Sequence, residues 1–300
     1  MLISARLREH DLQFVEYSLI GIASGGIYVL AALGWVIIYK SSNVFNFAMG
    51  EMMMIGAYLF YATVVQFGFG WPIGLVVSIA GSALLALVLE RTLLRPLLGR
   101  PVVVLVMVTL GVGSVLRGFA GLIWGPNILQ MPDFLPRKPL FIGDILIPGK
   151  LAWGFVGVGI LAAIFIAYYR FSRAGIAIRA TSSDQVTAEG LGINIRQVFA
   201  LTWAMGGVLA AAAGIIAGAV NGVTPQLGLV ALNVLAVVML GGMTSVGGVV
   251  AAGIFIGWIE TLTGAYLGAA WQNFVPYLIV LLVMIFRPTG LFGEQRIERI

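Results

Sequence analysis

Long apolar stretches recur along the whole chain, and the short segments between them carry most of the charged residues. A transmembrane helix needs about 20 mostly apolar residues to cross the bilayer core. Nine stretches approach or exceed that length: residues 19–39, 45–66, 72–89, 102–124, 151–169, 197–220, 230–242, 249–267 and 274–286. Because 230–242 is short for a crossing, and strand-like alternation is missing from the sequence, the pattern predicts an all-α polytopic transmembrane helical bundle of eight or nine spans.

The second stretch opens with polar residues where an apolar entry is expected. In SSNVFNFAMGEMMMIGAY (residues 41–58), Asn43 and Asn46 precede Gly50 and Glu51. Ionisable groups at membrane depth are costly and usually face protein or a water-filled path, and interrupted helices line cavities or are covered by protein. We therefore expect a broken or re-entrant segment here. The alternative is that Glu51 lies near the interface and only stabilises the N-terminus of the following helix.

Composition narrows the class of protein. Of the 300 residues, 60% are hydrophobic and only 10% are charged, against about 25% charged residues in soluble domains. The chain has no cysteine and a single histidine, His10, which excludes thiolate and histidine-based metal centres and a histidine-dependent catalytic triad. The sequence thus predicts a membrane protein without catalytic residues and without a metal site.

Arginine-rich segments indicate the orientation in the membrane. Residues 90–101 and 170–196 both carry several arginines and are separated by two spans, so both are expected on the cytoplasmic side. The proline-rich segment 125–150 between them is then a rigid external cap. The net charge of +5 resides mainly in such short segments, and therefore indicates orientation rather than nucleic-acid binding.

We expect one transmembrane domain that comprises residues 1–300. An N-terminal segment (1–18) leads into a first helix of full span length, which argues against a cleaved signal peptide. The tail (287–300) is cytoplasmic only if 230–242 crosses the membrane.

The cytoplasmic segment between the fifth and sixth stretches has a pattern of its own. Residues 172–198 read SRAGIAIRATSSDQVTAEGLGINIRQV, in which small and apolar residues alternate with arginine before Gly190 and Gly192 end the pattern. Such a sequence predicts a short amphipathic helix at the membrane surface that docks into a groove on a soluble partner. The alternative is a solvated loop, although about 27 residues is long for one.

Three further features lie within or between spans. The segment LGGMTSVGG (residues 240–248) permits a tight turn with positive φ, either as a re-entrant bend that lines a pathway or as a hairpin loop. Arg117 and Glu260 are the other charged residues inside spans. Each either pairs within the bundle or extends its charged group to the interface.

The chain contains 40 glycines, and several occur at small-xxx-small spacing. Examples are Gly21 with Gly25 and Gly253 with Gly257. Such pairs allow helix backbones to approach closely in lipid, so they predict a compact bundle or a helix-rich subunit interface.

Five motifs occur in one order over nearly the whole chain. They are NFAMGEMMMIGAY (46–58), RPLLGRP (95–101), SRAGIAIRA with GLGIN (172–194), LGGMTSVGG (240–248) and RPTGLFG (287–293). Together they resemble the branched-chain amino acid ABC importer permeases, and the LivH-type subunit more closely than its LivM-type companion.

The resemblance implies a multi-pass protein of the bacterial inner membrane with several partners. These are membrane lipid, a homologous LivM-type permease, two cytoplasmic ABC ATPases and a periplasmic substrate-binding protein. The chain has no G-x-x-x-x-G-K-[ST] motif, so we expect that it binds no cofactor and that the partner ATPases use the ATP.

The resemblance also implies roles for particular residues. Taken with the glycine-rich bend, the predicted translocation path comprises Asn46, Phe47, Met49, Gly50, Glu51, Gly241, Gly242 and Thr244. The predicted ATPase-coupling residues, within segment 170–196, are Arg173, Gly175, Arg179, Asp184, Ala188, Gly192 and Asn194. Two features depart from the family: Met49 stands where His or Gln is common, and the coupling segment lacks a proline often found there.

The leading hypothesis is a permease subunit of a binding-protein-dependent importer for branched-chain or other hydrophobic amino acids, or for related small solutes. It would work by alternating access driven by partner ATPases, and it would not be an enzyme. The alternative is an ion-coupled secondary carrier for a small organic solute, in which Glu51 and Glu260 are the coupling groups.

Overall fold

The computed structural model describes residues 2–97, 99–143 and 145–293 of the chain. Its α-helices are α1 (Leu2–Ser42), α2 (Met49–Tyr61), α3 (Trp71–Leu89), α4 (Arg95–Leu97), α5 (Val102–Trp124), α6 (Gly149–Phe171), α7 (Arg173–Ser183), α8 (Gln185–Gly190), α9 (Ile195–Asn221), α10 (Val230–Gly241), α11 (Val246–Leu267) and α12 (Ala269–Phe286). π-helical turns continue α2 (Ala62–Gln66) and α3 (Glu90–Leu94), and a 3-10 helix (Pro225–Leu229) precedes α10.

The helical content confirms the prediction of an all-α polytopic bundle, although complete apolar helices are slightly fewer than the predicted eight or nine spans. Among the described residues, seven helices are long and apolar enough to cross a membrane. The two predicted spans without such a helix are 45–66 and 230–242. In the first, α2 begins only at Met49, and in the second α10 has 12 residues. Irregular backbone replaces the missing helical turns in both, so these are the broken segments of the bundle.

The sequence pattern did not predict the small two-stranded sheet that the structure describes. Strands β1 (Leu140–Ile142) and β2 (Ile145–Ile147) pair antiparallel within the proline-rich segment 125–150. Pro139 and Pro148 flank the two strands, where a residue without a backbone N–H disturbs no ladder bond.

The two arginine-rich segments lie at one end of the bundle. Arg95 donates to the backbone oxygen of Arg196 at 3.5 Å, and Gln185 of α8 donates to the backbone oxygen of Ser41 at 3.0 Å. We call this the inner end. The β1–β2 hairpin lies at the opposite, outer end, where Leu129 pairs with Val223 just after α9.

The C-terminal residues return to the inner end. A Cβ on Gly242, at the end of α10, would lie 2.5 Å from the backbone nitrogen of Gly293. The chain therefore passes from Val223 at the outer end to Gly242 at the inner end, through the 3-10 helix and α10. Met1 of the predicted N-terminal segment and residues 294–300 of the predicted tail lie outside the described residues.

Helices α1 and α9 form the centre of the bundle. In an 18-residue apolar stretch of each of these helices 78% and 72% of the residues are buried, against 17% in α5 and 11% in α12. Glycines bring α1 and α11 together, because a Cβ on Gly25 would overlap the Gly253 carbonyl group and one on Gly21 would lie 2.8 Å from the Trp258 backbone. The large apolar surfaces of α5 and α12 remain available to lipid or to another protein.

Candidate functional site

The segment between α1 and α2 is irregular, and its own polar groups bond its backbone. Asn43 has a φ of 52°. The Asn46 side chain is fully buried, and its Oδ1 accepts a hydrogen bond from the Ala48 backbone N–H at 3.1 Å. The Asn46 backbone oxygen accepts from Met49 at 3.3 Å. Asn46 therefore organises the turn from which α2 begins, as Asn does in Asx-turns.

This irregular segment lies below the membrane surface. Met49 packs against Gly34 of α1, which is eight residues, or about 12 Å, from the inner end of that helix. Thr109 of α5 accepts a hydrogen bond from the Phe47 backbone N–H at 3.3 Å, and its hydroxyl lies 3.5 Å from the Phe45 backbone oxygen. Non-helical backbone at this depth is tolerated where protein covers it in this way.

An ion pair between Glu51 and Arg117 lies near the middle of the bundle. Glu51, in the first turn of α2, is 4% exposed, and its carboxylate accepts from the Arg117 guanidinium of α5. A Cβ on Gly113 would lie 3.0 Å from the Glu51 carboxyl group, and Gly113 is at the midpoint of the 23-residue helix α5. Glu51 thus sits at the N-terminus of α2, and this helix start is at mid-depth rather than at the interface.

The two broken segments of the bundle meet at this ion pair. Gly50 packs directly on the carbonyl group of Gly228 in the 3-10 helix. A Cβ at position 50 would overlap that group, so the contact requires glycine there. A cavity of about 70 Å³ beside the contact is lined by Glu51 and Arg117. Its rim carries exposed leucines, namely Leu110, Leu229 and Leu232.

The predicted path residues do not all come together. Asn46, Phe47, Gly50 and Glu51 lie at or beside the mid-membrane contact, and Met49 is fully buried next to it. The predicted residues Gly241, Gly242 and Thr244 lie at the other end of α10, about 16 Å along that helix, where Gly242 packs against Gly293. The bend at 240–248 is a tight turn at the inner end, with a φ of 96° at Gly242.

Sequence reasoning left the partners of the intramembrane charges open. Arg117 pairs with Glu51, and Glu260 bonds Tyr28 and Asn233 instead. The glycines Gly113 and Gly228, which admit the Glu51 side chain, carried no sequence signal among 40 glycines. Within the part of the chain that the structure describes, no three His, Asp or Glu side chains are grouped so as to hold a metal ion.

Comparison with known sequences identifies the family. The profile described as "Branched-chain amino acid transport system / permease component" matches residues 17–284. The chain belongs to this permease family. It is a multi-pass membrane protein, and the residues that the structure describes include seven apolar helices of span length.

Individual relatives of the permease come from bacteria and an archaeon. The chain is 29% identical to the high-affinity branched-chain amino acid transport system permease protein LivH of Escherichia coli K12, over 98% of this chain and 100% of LivH. It is 27% identical to the corresponding BraD protein of Pseudomonas aeruginosa, over 93% and 96% of the two chains. A probable LivH of Methanocaldococcus jannaschii is 27% identical, over 89% of each chain. All three are named as transport permeases.

The predicted coupling segment forms two short helices with side-chain caps. Ser172 accepts a hydrogen bond from the Gly175 backbone N–H at 2.9 Å and starts α7, and Asp184 accepts from Thr187 at 3.0 Å and starts α8. The hydrogen bond from the Thr187 backbone holds the pKa of the Asp184 carboxyl below its usual range. Asn194 in turn caps α9 through Gln197 at 3.2 Å.

Some residues of this segment are buried and pack its two helices against the bundle, and others are exposed at the surface. Gly175, Ile178 and Ala188 are buried, and Arg179 donates to the backbone oxygens of Tyr169 and Arg170. The exposed predicted coupling residues are Arg173, Asp184, Gly192 and Asn194. A groove of about 260 Å³ beside α8 is lined by Glu90, Arg95, Gln185, Val186, Glu189, Ile195, Arg196 and Phe199.

Proposed function

We propose that this permease is the membrane-spanning subunit of a binding-protein-dependent ABC importer for branched-chain or related hydrophobic amino acids. The observation that carries the proposal is the mid-membrane contact of two broken helices at the Glu51–Arg117 ion pair. Interrupted helices with charged groups at the bilayer midplane are typical of substrate pathways in transporters.

The pathway is proposed to lie between this chain and a second, homologous permease. The cavity beside Glu51 opens on a face whose leucines are exposed, and α5 and α12 are largely uncovered. Exposed apolar patches of this extent suit a helix-packing partner as well as lipid. The companion would be a LivM-type permease, in the bacterial plasma membrane, and a periplasmic binding protein would deliver the substrate from the outer end.

ATP hydrolysis is proposed to act through α7 and α8. The apolar side chains of Ile176, Val186 and Leu191 are exposed at the inner end, where an amphipathic helix docks into a groove on a soluble protein. Two cytoplasmic ATPases would bind there and use the ATP, because the chain itself has no P-loop motif. The permease then changes its accessible side and makes or breaks no bond in the substrate.

The substrate class is proposed from the relatives, whose names refer to branched-chain amino acids. Met49 stands where His or Gln is common in the family, but it is fully buried against Gly34. Its thioether therefore fills space between α1 and α2, which leaves the exposed side of the cavity unchanged. The departure at Met49 does not argue for a different solute.

The test is to purify this chain in mild detergent from its native membrane and to identify every polypeptide that accompanies it. We expect a second permease and P-loop ATPases, and ATP-dependent uptake of L-leucine when they are reconstituted with the binding protein. A chain that purifies alone, and that takes up solute in liposomes under an ion gradient without ATP, would overturn the proposal in favour of a secondary carrier.

A further inference from the structure

A second polar cluster lies on the outer half of the bundle, away from the Glu51–Arg117 ion pair. Its centre is Glu260 of α11, which is 8% exposed. The Tyr28 hydroxyl of α1 donates to Glu260 Oε2 at 2.7 Å, and Asn233 Nδ2 of α10 lies 3.4 Å from Oε1. Tyr277 of α12 donates to Asn233 Oδ1 at 2.8 Å and so fixes the orientation of that amide. Four helices thus position one carboxyl group.

The Glu260 carboxylate has only neutral donors as hydrogen-bond partners. Among the described residues, no Arg, Lys or His side chain donates a hydrogen bond to this carboxylate, and none forms an ion pair with it. Insertion scales assign a cost of a few kcal/mol to a charged side chain at membrane depth, and such groups are normally paired. The hydroxyl and amide donors orient the carboxylate but do not neutralise it. The arrangement therefore suits a positively charged ligand.

A cavity of about 190 Å³ adjoins the carboxylate. One water molecule occupies about 30 Å³ in the liquid, so the space admits a small organic molecule. The lining contains polar residues (Ser24, Tyr28, Asn221, Glu260, Thr261 and Gln272) and aliphatic residues (Ile27, Ala217, Val220 and Val230). A ligand with one charged end and a short aliphatic group matches this composition.

The cavity lies toward the outer end of the bundle. Asn221 is the last residue of α9, and Gln272 lies in the first turn of α12. Glu260 is seven residues, or about 10 Å, from the outer end of α11. The first turn of α10 separates this cavity from the one at Glu51, because Val230 lines the former and Leu229 and Ala231 line the latter.

We propose that the Glu260 cavity is an outer-side binding subsite for the ammonium group of a small aliphatic amino acid, with Glu260 as the counterion. The inference rests on the proposed import of hydrophobic amino acids, and it adds which group of the substrate this chain recognises. Tyr28 and Asn233 position the carboxylate, and the aliphatic lining residues contact the substrate side chain. The substrate would then pass the start of α10 to reach the Glu51–Arg117 site.

The first test measures ATP-driven uptake by the complete reconstituted importer with Glu260→Gln. We expect the KM for L-leucine to rise at least tenfold. Glu16→Gln, which removes the same charge from a different helix, α1, should leave the KM unchanged. We also expect 4-methylpentanoic acid, which lacks the ammonium group, to inhibit wild-type uptake weakly or not at all. An unchanged KM in Glu260→Gln overturns the subsite, and so does strong inhibition by the acid.

The second test uses binding alone, so that it does not depend on transport. Isopentylamine hydrochloride should raise the unfolding temperature of the purified wild-type and Glu16→Gln complexes but not that of Glu260→Gln. If Glu260→Gln fails to assemble, Tyr28→Phe replaces it and should reduce the shift. If NaCl raises the unfolding temperature more than choline chloride does, and the amine does not raise it, the cavity binds a metal cation and the proposal is overturned. If the amine binds but the reconstituted wild-type complex takes up no L-leucine, the subsite is supported and the proposed import of leucine is refuted.

Discussion

At the scale of single residues, the charged pair Glu51–Arg117 lies near the middle of the helical bundle. Its carboxylate is almost fully buried, while the Arg117 side chain is 38% exposed on the open face. Removing one partner of such a pair leaves an uncompensated charge, and that costs more than removing both. The pair therefore combines a buried carboxylate with a partly exposed guanidinium group.

We expect Glu51→Gln and Arg117→Gln each to lower the free energy of unfolding by about 2 kcal/mol. This is less than the roughly 3–5 kcal/mol for a fully buried pair, because Arg117 is partly exposed. The double variant should recover most of that loss, although it should not recover uptake. Thermal unfolding in detergent and uptake by the same preparations measure both quantities. Additive losses of stability in the double variant would show that the two side chains do not interact.

The Asp184 cap makes the start of α8 sensitive to acid. Its pKa is lowered in the folded protein, chiefly by the Thr187 backbone hydrogen bond. The stabilisation is thus complete above the unfolded value, about 3.9, and is lost as the pH falls through the lowered folded value. Amide exchange at Thr187 should accelerate in that range.

Asp184→Asn is the matched control for this prediction, because asparagine also caps helices but does not titrate. We measure the exchange rate of the Thr187 amide relative to that of an uncapped reference amide. In Asp184→Asn this ratio should no longer change as the pH falls. The same acid response in both proteins would mean that the Asp184 carboxylate does not stabilise α8.

The sequence predicts which residues are unusual, but not which of them meet. Glu51 is conspicuous because an ionisable residue interrupts an apolar span. Arg117 and Glu260 are equally conspicuous, and a separation of 66 residues between Glu51 and Arg117 contains no geometric information. The choice depends on the depth at which α2 begins, which Asn46 and the contact of Gly50 with Gly228 determine.

At the scale of helices, close backbone contact between α1 and α11 holds the centre of the bundle together. A Cβ on Gly257 would overlap the Gly25 backbone, so we expect Gly25→Ala and Gly257→Ala to push the helices apart. Overpacking of this kind typically costs about 1–3 kcal/mol. Thermal unfolding should show the loss in both variants.

Gly159→Ala in α6 is the control, because a Cβ there meets no heavy atom within 4 Å. It should be neutral or slightly stabilising. If Gly25→Ala is as stable as Gly159→Ala, the small-residue contact does not hold α1 against α11.

The C-terminus of α8 offers a test of the coupling role. Gly192 has a φ of 87°, and Ile193 donates to the Ala188 backbone oxygen at 3.1 Å to close the helix end. Gly192→Ala strains this turn, and Ala188→Leu overfills a buried position. Both variants should insert and assemble, but they should lose most ATP-driven uptake. Gly190→Ala, which has open space around the new Cβ, should transport normally. Normal uptake in the first two variants would refute a coupling role.

At the scale of the whole molecule, the path of α10 decides on which side the C-terminal residues lie. Gly293 lies beside Gly242 at the inner end of the bundle. Since the chain has no cysteine, single-cysteine variants report side without background. An impermeant maleimide added from outside should label Phe141→Cys, whereas Val186→Cys and Phe292→Cys should need permeabilised cells. External labelling of Phe292→Cys would show that α10 does not complete the crossing.

The overall class of the molecule follows from its sequence, because seven of the nine apolar stretches are helices of span length. The difference arises from the broken segments 45–66 and 230–242, whose apolar composition is the same whether their backbone is helical or irregular. Hydropathy measures how readily a residue enters lipid, and it does not register that buried Asn46 and Gly228 belong to turns that are not α-helical and that protein covers. Those turns are also where the candidate site lies.

The ion pair at the centre of the bundle has a consequence for how the chain is made. Ribosomes add about 5–20 residues per second, so Glu51 is synthesised on the order of 3–13 s before Arg117, and longer before Gly228. During that interval the carboxylate has neither its cation nor its glycine contacts. An unpaired carboxylate at membrane depth costs a few kcal/mol, so we expect nascent chains that stop short of Arg117 to hold residues 45–66 in the membrane less stably than chains that include α5.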